Sequence, residues 1–130
     1  MRFVCSLCGT LYPLATRAWV CEKPLHRPQG QVCGGLFEIT DTPRFAPSQI
    51  ETRDASLWRY RALLPLPENA SPISMGEGFT PLIETRLDGA TFLSKLDFLN
   101  PTGSFKDRGT TILVSALKAF GVTRVVEDSS

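Results

Sequence analysis

Four cysteines within residues 1–40 constrain the fold of this 130-residue chain more than any other feature. The segment around them is rich in Gly and Pro and shows no helical period. Its apolar residues come in short pieces, which are Phe3-Val4, Leu11-Tyr12, Trp19-Val20 and Leu36-Phe37. These pieces bury too little apolar surface to fold without an additional cross-link, such as a disulfide or a bound metal. We therefore predict a small β module of short strands over residues 1–40, which the cysteines hold together.

The spacing of the cysteines favours a metal over disulfides. Cys5 and Cys8 are separated by two residues, which is typical of half of a zinc site. Twelve residues then precede Cys21 and eleven more precede Cys33, where a zinc ribbon has a second closely spaced pair. Four thiolates suit a closed tetrahedral Zn²⁺ site, so we predict a zinc-ribbon-like module, with unbound thiols as the alternative. The single histidine, His26, either replaces one cysteine or lies in water.

Composition excludes several classes of protein. The chain has 14 Lys and Arg against 13 Asp and Glu, and its net charge of +1 lacks the basic surplus expected of a nucleic-acid-binding protein. With 42% hydrophobic residues, it is not a disordered tail. The sequence shows no signal-peptide core and no run near the ~20 apolar residues of a membrane span. The expected location is the cytoplasm, where thiols stay reduced.

Residues 41–70 are predicted to form a linker followed by a helix. Ser56 is a suitable N-cap for a helix over residues 56–64. Three apolar positions share one face of this helix, namely Leu57, Tyr60 and Leu64. Pro65 ends the helix, because proline cannot continue the backbone hydrogen bonds.

Residues 71–130 have the pattern of an α/β domain. Strands are predicted over residues 81–84, 91–96 and 122–127. The strongest helix pattern spans residues 105–120, with Ser104 as its N-cap and Gly121 just after its end. Its apolar positions repeat every 3.6 residues and are Phe105, Ile112, Leu113, Ala116, Leu117 and Phe120.

A strand, a helix and a strand in this order predict a βαβ unit with parallel strands and a right-handed crossover. Parallel sheets are normally covered on both faces, which two or three strands and one long helix cannot achieve. We therefore expect an incomplete parallel sheet over residues 71–130, and a chain that is a truncated piece of a larger α/β protein.

Lys106 is the strongest candidate for a catalytic residue. It lies in the first turn of the predicted helix, directly after a strand-to-helix loop, where ligands of open α/β sheets bind. The partial positive charge of a helix N-terminus disfavours the ammonium form of lysine, and desolvation acts in the same direction. A neutral lysine amine condenses with aldehydes to form a Schiff base. On spacing alone, a solvated surface lysine is the favoured interpretation.

The segment Asn-Pro-Thr-Gly-Ser-Phe-Lys-Asp-Arg-Gly at residues 100–109 resembles the lysine motif of fold-type-II pyridoxal-phosphate enzymes, threonine synthases above all. Three further segments match the same family in order. They are Leu57-Trp58-Arg59-Tyr60, Gly76-Glu77-Gly78-Phe79-Thr80-Pro81-Leu82 and Val125-Val126-Glu127-Asp128-Ser129-Ser130. The resemblance spans most of residues 57–130, and many threonine-synthase-like chains also carry a cysteine-bearing N-terminal module.

This resemblance implies a carbon–oxygen lyase that converts O-phosphohomoserine and water to threonine and phosphate. Lys106 would hold pyridoxal 5'-phosphate as a Schiff base and then act as general base at the substrate α-carbon. Thr80 and Ser104 would contact the substrate, although Thr80 also fits a turn and Ser104 a helix cap. Glu77 is expected to be a solvated loop acid. A homodimer is the assembly that the resemblance allows for a full-length chain.

The resemblance leaves alternatives of two kinds. Within the superfamily they are an amino-acid dehydratase or ammonia-lyase and a cysteine-synthase-like enzyme. Outside it, a zinc-ribbon binding module could carry an inactive enzyme remnant. The family's ring-facing Asn, Gly-rich phosphate cradle and pyridine-nitrogen partner have no counterpart up to Ser130, so we expect these 130 residues to be inactive on their own. No nucleic acid or membrane partner is expected.

Overall fold

The computed structural model describes residues 1–26 and 30–127. The chain divides into two compact units. The first unit comprises residues 1–45 and 65–69, and the second comprises residues 46–64 and 70–130.

The first unit contains a small antiparallel sheet. Its strands are β1 (Arg2–Cys5), β2 (Leu11–Tyr12) and β3 (Phe37–Thr40), in the order β2-β1-β3. Aromatic side chains pack across these strands. The centroid of the Phe37 ring lies 5.6 Å from that of Phe3 and 4.8 Å from that of Tyr12. The short strands expected at Leu11-Tyr12 and near Phe37 are therefore present.

One predicted strand of the first unit is absent from the structure. Trp19 and Val20 lie in a bend and pair with no strand among the described residues. The Trp19 side chain is 76% exposed. An apolar pair alone does not make a strand, because a strand also needs a neighbour whose backbone groups it can bond.

The second unit contains a two-stranded antiparallel hairpin in place of the predicted incomplete parallel sheet. Strand β4 (Leu82–Leu87) pairs with β5 (Ala90–Lys95), and Leu87 lies opposite Ala90. Asp88 and Gly89 join them with φ values of 51° and 80°. Positive φ at both central residues is the requirement of a type I′ turn, for which Asp-Gly is a preferred sequence. This local turn explains the antiparallel pairing.

The strand predicted over residues 122–127 is also absent. These residues have no regular secondary structure and join neither sheet of the described chain. Val126 is 97% exposed. The parallel neighbour that the βαβ prediction required is not found among the described residues, because β4 and β5 pair with each other.

Helix α1 (Lys106–Ala119) confirms the strongest sequence prediction of regular structure. It ends in a Schellman motif, in which Gly121 N–H donates to the Lys118 carbonyl and Val122 N–H donates to the Leu117 carbonyl. At its start, Lys106 N–H donates to Ser104 Oγ over 3.2 Å. The N-cap position itself is occupied by Phe105, which has no capping side chain, so the prediction of Ser104 as N-cap is off by one residue. The Ser104 hydroxyl still satisfies an amide group of the first turn.

The buried face of α1 is polar, contrary to the apolar stripe in its sequence. Its buried residues are Asp107, Thr111 and Ser115, which lie four residues apart and share one face. Leu113 remains 45% exposed and Phe105 64%. The polar face is buried because it hydrogen-bonds to loop residues of the same unit, whereas nothing among the described residues covers the apolar positions fully.

The helix predicted over residues 56–64 is a 3-10 segment, Leu57–Leu63, with non-helical backbone at Tyr60. The predicted cap is confirmed, since the Ser56 hydroxyl accepts a hydrogen bond from Trp58 N–H over 3.1 Å. Trp58, rather than the predicted Tyr60, is buried. The kink rotates the side chains, so the helical spacing that predicted the face does not apply.

Two further 3-10 turns, Pro47–Gln49 and Asp97–Leu99, complete the second unit. Within the described residues, no helix has the length and apolar character needed to cross a membrane.

Candidate functional site

The candidate lysine is presented by the first turn of α1. Its side chain is exposed, and no described residue forms a hydrogen bond or ion pair with its ammonium group. Desolvation, which the sequence argument invoked, is therefore not supplied by the described residues. The group is nevertheless free to reach a carbonyl carbon, and this freedom fits the attachment of an aldehyde cofactor.

The loop before α1 is closed by Asp107, the residue after the lysine. Its buried carboxylate accepts a hydrogen bond from Thr102 N–H over 2.8 Å and another from the Thr102 hydroxyl. A carboxylate at the start of a helix is also favoured by the helix dipole. These bonds fix the path of residues 102–106, and so the place from which Lys106 projects.

Thr80 lies beside the same turn of the helix. Its hydroxyl donates to Asp97 over 2.9 Å and accepts from the Arg108 guanidinium over 3.0 Å. Arg108 also pairs with Asp97 over 2.7 Å. Hydrogen bonds from Arg108 and then Thr80 hold the pKa of Asp97 below its ordinary value. The predicted substrate contact Thr80 is thus 6% exposed and engaged in a charged network.

Glu77 is fully buried, so its expected role as a solvated loop acid is wrong. Its carboxylate accepts hydrogen bonds from Ser74 Oγ and Met75 N, both at 2.8 Å, and from Thr111 Oγ1 at 2.7 Å. Burial raises the pKa of this carboxyl, but the three hydrogen bonds outweigh burial and the pKa lies below its ordinary value. Glu77 therefore ties the Gly-rich loop to the helix that carries Lys106.

The Gly-rich loop is held from its other side as well. The Glu77 carbonyl accepts from Leu57 N over 2.6 Å, and Gly78 N–H donates to the Asn100 side chain over 3.0 Å. A Cβ at Gly78 would lie 2.6 Å from Leu57 N, closer than atoms of real side chains come. The three segments that resemble the family over residues 57–109 thus contact one another.

The first unit brings its four cysteines together. The ligand atoms of Cys5, Cys8, Cys21 and Cys33 all lie within 4.8 Å of one another. Two pairs, Cys5 with Cys33 and Cys8 with Cys21, have sulfur atoms 3.6 Å apart. None of the four forms a disulfide. The long loop between Cys21 and Cys33 therefore does not prevent the second half of the cluster from forming.

Hydroxyl groups surround this sulfur cluster. The Thr10 hydroxyl lies 3.1 Å from Cys8 Sγ, and the Tyr12 hydroxyl lies 3.1 Å from Cys21 Sγ. Hydrogen bonds from the side chain and backbone of Thr10 lower the pKa of the Cys8 thiol to about 6. A thiol with a lowered pKa is readily available as the thiolate that binds metals.

The backbone beside the cysteine cluster also fits a metal centre. A Cβ at Gly35 would lie 2.4 Å from Cys5 Sγ, so only glycine leaves room for the sulfur. Cys5 is 2% exposed and Cys21 is fully buried. Four sulfur donors at mutual contact suit the soft, tetrahedral coordination of Zn²⁺. His26 is not part of the cluster that the described residues form.

Several residues of both sites were not identified from sequence. Arg108 and Asp97 join Thr80, and the hydroxyls of Thr10 and Tyr12 join the cysteines. A signal existed for Arg108, which lies inside the lysine segment two residues after Lys106. The role of Tyr12 depends on strand pairing and has no spacing that a sequence could show.

Comparison with known proteins gives a family resemblance for the part of the chain that contains Lys106. Residues 73–130 match the family described as "Pyridoxal-phosphate dependent enzyme". Threonine synthase from Methanocaldococcus jannaschii is 32% identical over 128 residues, which cover 91% of this chain and 29% of that protein. Threonine synthase from Methanosarcina acetivorans is 31% identical over 129 residues, covering 93% and 29%. This chain resembles the pyridoxal-phosphate-dependent threonine synthases. The resemblance predicted from the lysine segment is therefore confirmed.

The relatives also set the limits of the resemblance. Threonine synthase from Mycobacterium leprae is 45% identical over 71 residues, which cover 52% of this chain and 20% of that protein. The chain spans about 29% of the length of the two archaeal relatives. The matched family implies pyridoxal phosphate, which confirms the predicted cofactor at that level. No solved structure matches the chain.

Proposed function

We propose that this chain carries the cofactor-attachment lysine of a threonine-synthase-like lyase that converts O-phosphohomoserine and water to threonine and phosphate. One observation carries the proposal. The Lys106 ammonium group has no partner among the described residues. It projects from a helix start that Asp107, Arg108 and Thr111 fix to the surrounding loops. The names of the relatives, which match more than nine-tenths of this chain, support threonine synthase over other members of the family.

Pyridoxal phosphate, when bound, supplies an electron sink for the bonds of an amino-acid substrate. The residues of this chain would do the remaining work. Lys106 Nζ would hold the cofactor covalently and, when displaced by the substrate amine, would take the proton from the α-carbon. Because its backbone is fixed by the neighbouring hydrogen bonds, the amine would return to the same place in each cycle.

Thr80 and Ser104 are the proposed substrate contacts. The Ser104 hydroxyl accepts from Lys106 N–H, so it lies at the backbone of the attachment residue. The Thr80 hydroxyl is oriented by Asp97 and Arg108, which leaves the position of its oxygen well defined. A fixed hydroxyl loses little conformational entropy when it binds a ligand.

Trapping of the cofactor tests the proposal. The chain is incubated with pyridoxal phosphate, reduced with borohydride and digested, and the modified lysines are located by mass spectrometry. We expect preferential modification of Lys106 over Lys118, which lies near the other end of the same helix. Lys106→Arg should abolish the preferred adduct and Lys118→Arg should leave it unchanged. Equal modification of both lysines would contradict the proposal.

Turnover by the 130 residues alone is expected to be absent. Lys106 is open to water, whereas enzymes of this type need an enclosed site that protects reactive species. Phosphate release from O-phosphohomoserine measures this directly. A release rate that depends on Lys106 would show that the 130 residues suffice. Serine and O-acetylserine, offered as rival substrates, test the dehydratase and cysteine-synthase alternatives.

We also propose that the four cysteines bind one structural Zn²⁺, which makes residues 1–40 a zinc-ribbon-like module. The mutual distances of the sulfurs and the space left by Gly35 support this proposal. A reducing compartment such as the cytoplasm would keep the thiols available. Elemental analysis of carefully purified chain should give one zinc per chain, and Cys21→Ser should abolish binding. A zinc content near zero, even after addition of Zn²⁺, would contradict the proposal.

A further inference from the structure

When the cysteines hold a metal, the donor and the acceptor of the hydrogen bond between Tyr12 and Cys21 are fixed. The phenol oxygen lies 3.1 Å from Cys21 Sγ, and with a neutral thiol either group can donate. A thiolate bound to Zn²⁺ is an acceptor only, so the phenol must then donate. We propose that Tyr12 is a positioning residue of the metal centre, whose hydroxyl donates to the Cys21 thiolate and raises the affinity for the metal. This inference rests on the proposed zinc site.

The charge of the centre explains why such a donor is needed. Four thiolates outnumber the two positive charges of Zn²⁺, so negative charge remains on the sulfurs. Buried charge is costly unless it is hydrogen-bonded. Cys21 is fully buried, so bulk water does not reach its sulfur. The Tyr12 hydroxyl is the side-chain donor that the structure places against it.

Cys8 provides an internal contrast with Cys21. Its sulfur also has a hydroxyl neighbour, since Thr10 Oγ1 lies 3.1 Å away. Cys8 is exposed, however, and water can replace the Thr10 hydroxyl there. Loss of a hydroxyl should therefore cost more at the buried sulfur than at the exposed one.

The fold holds the Tyr12 ring independently of its hydroxyl. Tyr12 belongs to β2 and lies opposite Phe3 on β1. Its ring packs against Phe37 with centroids 4.8 Å apart. Because these contacts involve the ring alone, Tyr12→Phe removes the oxygen and keeps the packing. The phenol is thus preorganised, and little entropy is lost when it bonds to the thiolate.

The test compares Tyr12→Phe with Thr10→Val in the full chain. Zinc affinity is measured by competition with a chromophoric chelator. We expect Tyr12→Phe to weaken zinc binding about tenfold, as loss of an outer-sphere partner does, and Thr10→Val to weaken it less. A second readout is the thiolate-to-metal charge-transfer band of the Co²⁺-loaded chain. Without the phenol, the sulfur lone pairs rise in energy, so this band should move to longer wavelength.

The outcomes distinguish a failure of the metal site from a failure of the proposed role of Tyr12. A wild-type chain that binds neither Zn²⁺ nor Co²⁺ contradicts the metal site itself. A wild-type chain that binds both, with an unchanged affinity and charge-transfer band in Tyr12→Phe, retains the site and overturns the role of Tyr12. Amide hydrogen exchange in β1–β3 of the loaded variant shows whether the fold is intact. Weaker zinc binding by Tyr12→Phe together with lost protection of β1–β3 at saturating Zn²⁺ would assign the effect to the fold and would also contradict a role at the sulfur.

Discussion

The two units of the chain bury different kinds of atoms most deeply. In the first unit the most buried side chains are Cys5 and Cys21. In the second unit the fully buried groups include Glu77 and Ser115. In the second unit the buried Glu77 carboxylate is satisfied by hydrogen bonds from the same unit, although Trp58 Nε1 and Arg59 Nε have no partner among the described residues. The first unit instead gathers four sulfurs, which are the donors that a metal ion such as Zn²⁺ prefers. The first unit should therefore depend on an external component, and the second should not.

Removal of metal should produce the largest difference in stability between the two units. A chelator added to the zinc-loaded chain is expected to unfold the first unit, because metal binding supplies about 10 kcal/mol or more to small zinc modules. The second unit should remain folded. Amide hydrogen exchange reports β1–β3, and fluorescence of the buried Trp58 in a Trp19→Phe background reports the second unit. Simultaneous unfolding of both units would contradict the expected independence.

Loss of the Glu77 carboxylate should be the largest single effect within the second unit. Glu77→Ala leaves the hydroxyls of Ser74 and Thr111 and the Met75 amide without their acceptor. Unsatisfied buried donors are costly, so we expect a loss of about 3 kcal/mol in the free energy of unfolding. Urea unfolding followed by Trp58 fluorescence measures it, with Glu84→Ala on the exposed hairpin as the matched control.

The same carboxylate should make the second unit sensitive to acid. The pKa of Glu77 is lowered by folding, so its contribution is complete above the unfolded value of about 4.3 and is lost as the pH falls towards the folded value. Glu77→Gln should flatten the dependence of unfolding free energy on pH below about pH 5. An equally steep dependence in this variant would assign the acid sensitivity to other carboxyls.

A methyl group at Gly35 should damage the first unit alone. The added Cβ would meet Cys5 Sγ at 2.4 Å, and relief of such overpacking costs about 2 kcal/mol. Gly35→Ala should therefore weaken zinc binding about thirtyfold, as measured by chelator competition. Urea unfolding of the second unit should stay unchanged. Normal zinc affinity in this variant would show that the sulfur is not confined at this position.

The smallest expected effect is a gain, from a methyl group at Gly109. This residue lies within α1, and a Cβ there would meet nothing within 4 Å. Alanine stabilises a helix interior by about 1 kcal/mol relative to glycine. Gly109→Ala should raise the unfolding free energy of the second unit by roughly that amount. A loss instead would indicate a close neighbour of Gly109 in solution.

The predictions from sequence succeeded where local chemistry decides the structure. The 3.6-residue period and the glycine after it located α1, and Ser56 caps the 3-10 segment that it precedes. The lysine segment predicted the resemblance to threonine synthases because its ten residues are specific. Clustering of the four cysteines also followed from their chemistry.

The errors arose where tertiary pairing decides the structure. Asp88-Gly89 is a local hairpin signal, whereas the parallel sheet was predicted from the order of a strand, a helix and a further strand over residues 91–127. The burial of Glu77 depends on Thr111, which is 34 residues away. The sequence shows that residue 77 is a glutamate but does not show whether its carboxylate is buried or solvated. The pattern of charge and hydrophobicity around it does not distinguish the two.

The bond from Arg108 to Thr80 has a mechanical consequence for the lysine. Both Arg108 and Lys106 belong to the same rigid turn, and each residue along an α-helix advances by about 100°. A roll of α1 by a single residue would therefore swing the guanidinium away from Thr80 and Asp97. The contacts of Arg108 therefore fix the rotation of α1 about its own axis. The direction in which Lys106 leaves the helix thus depends on Thr80, which lies 26 positions earlier in the chain.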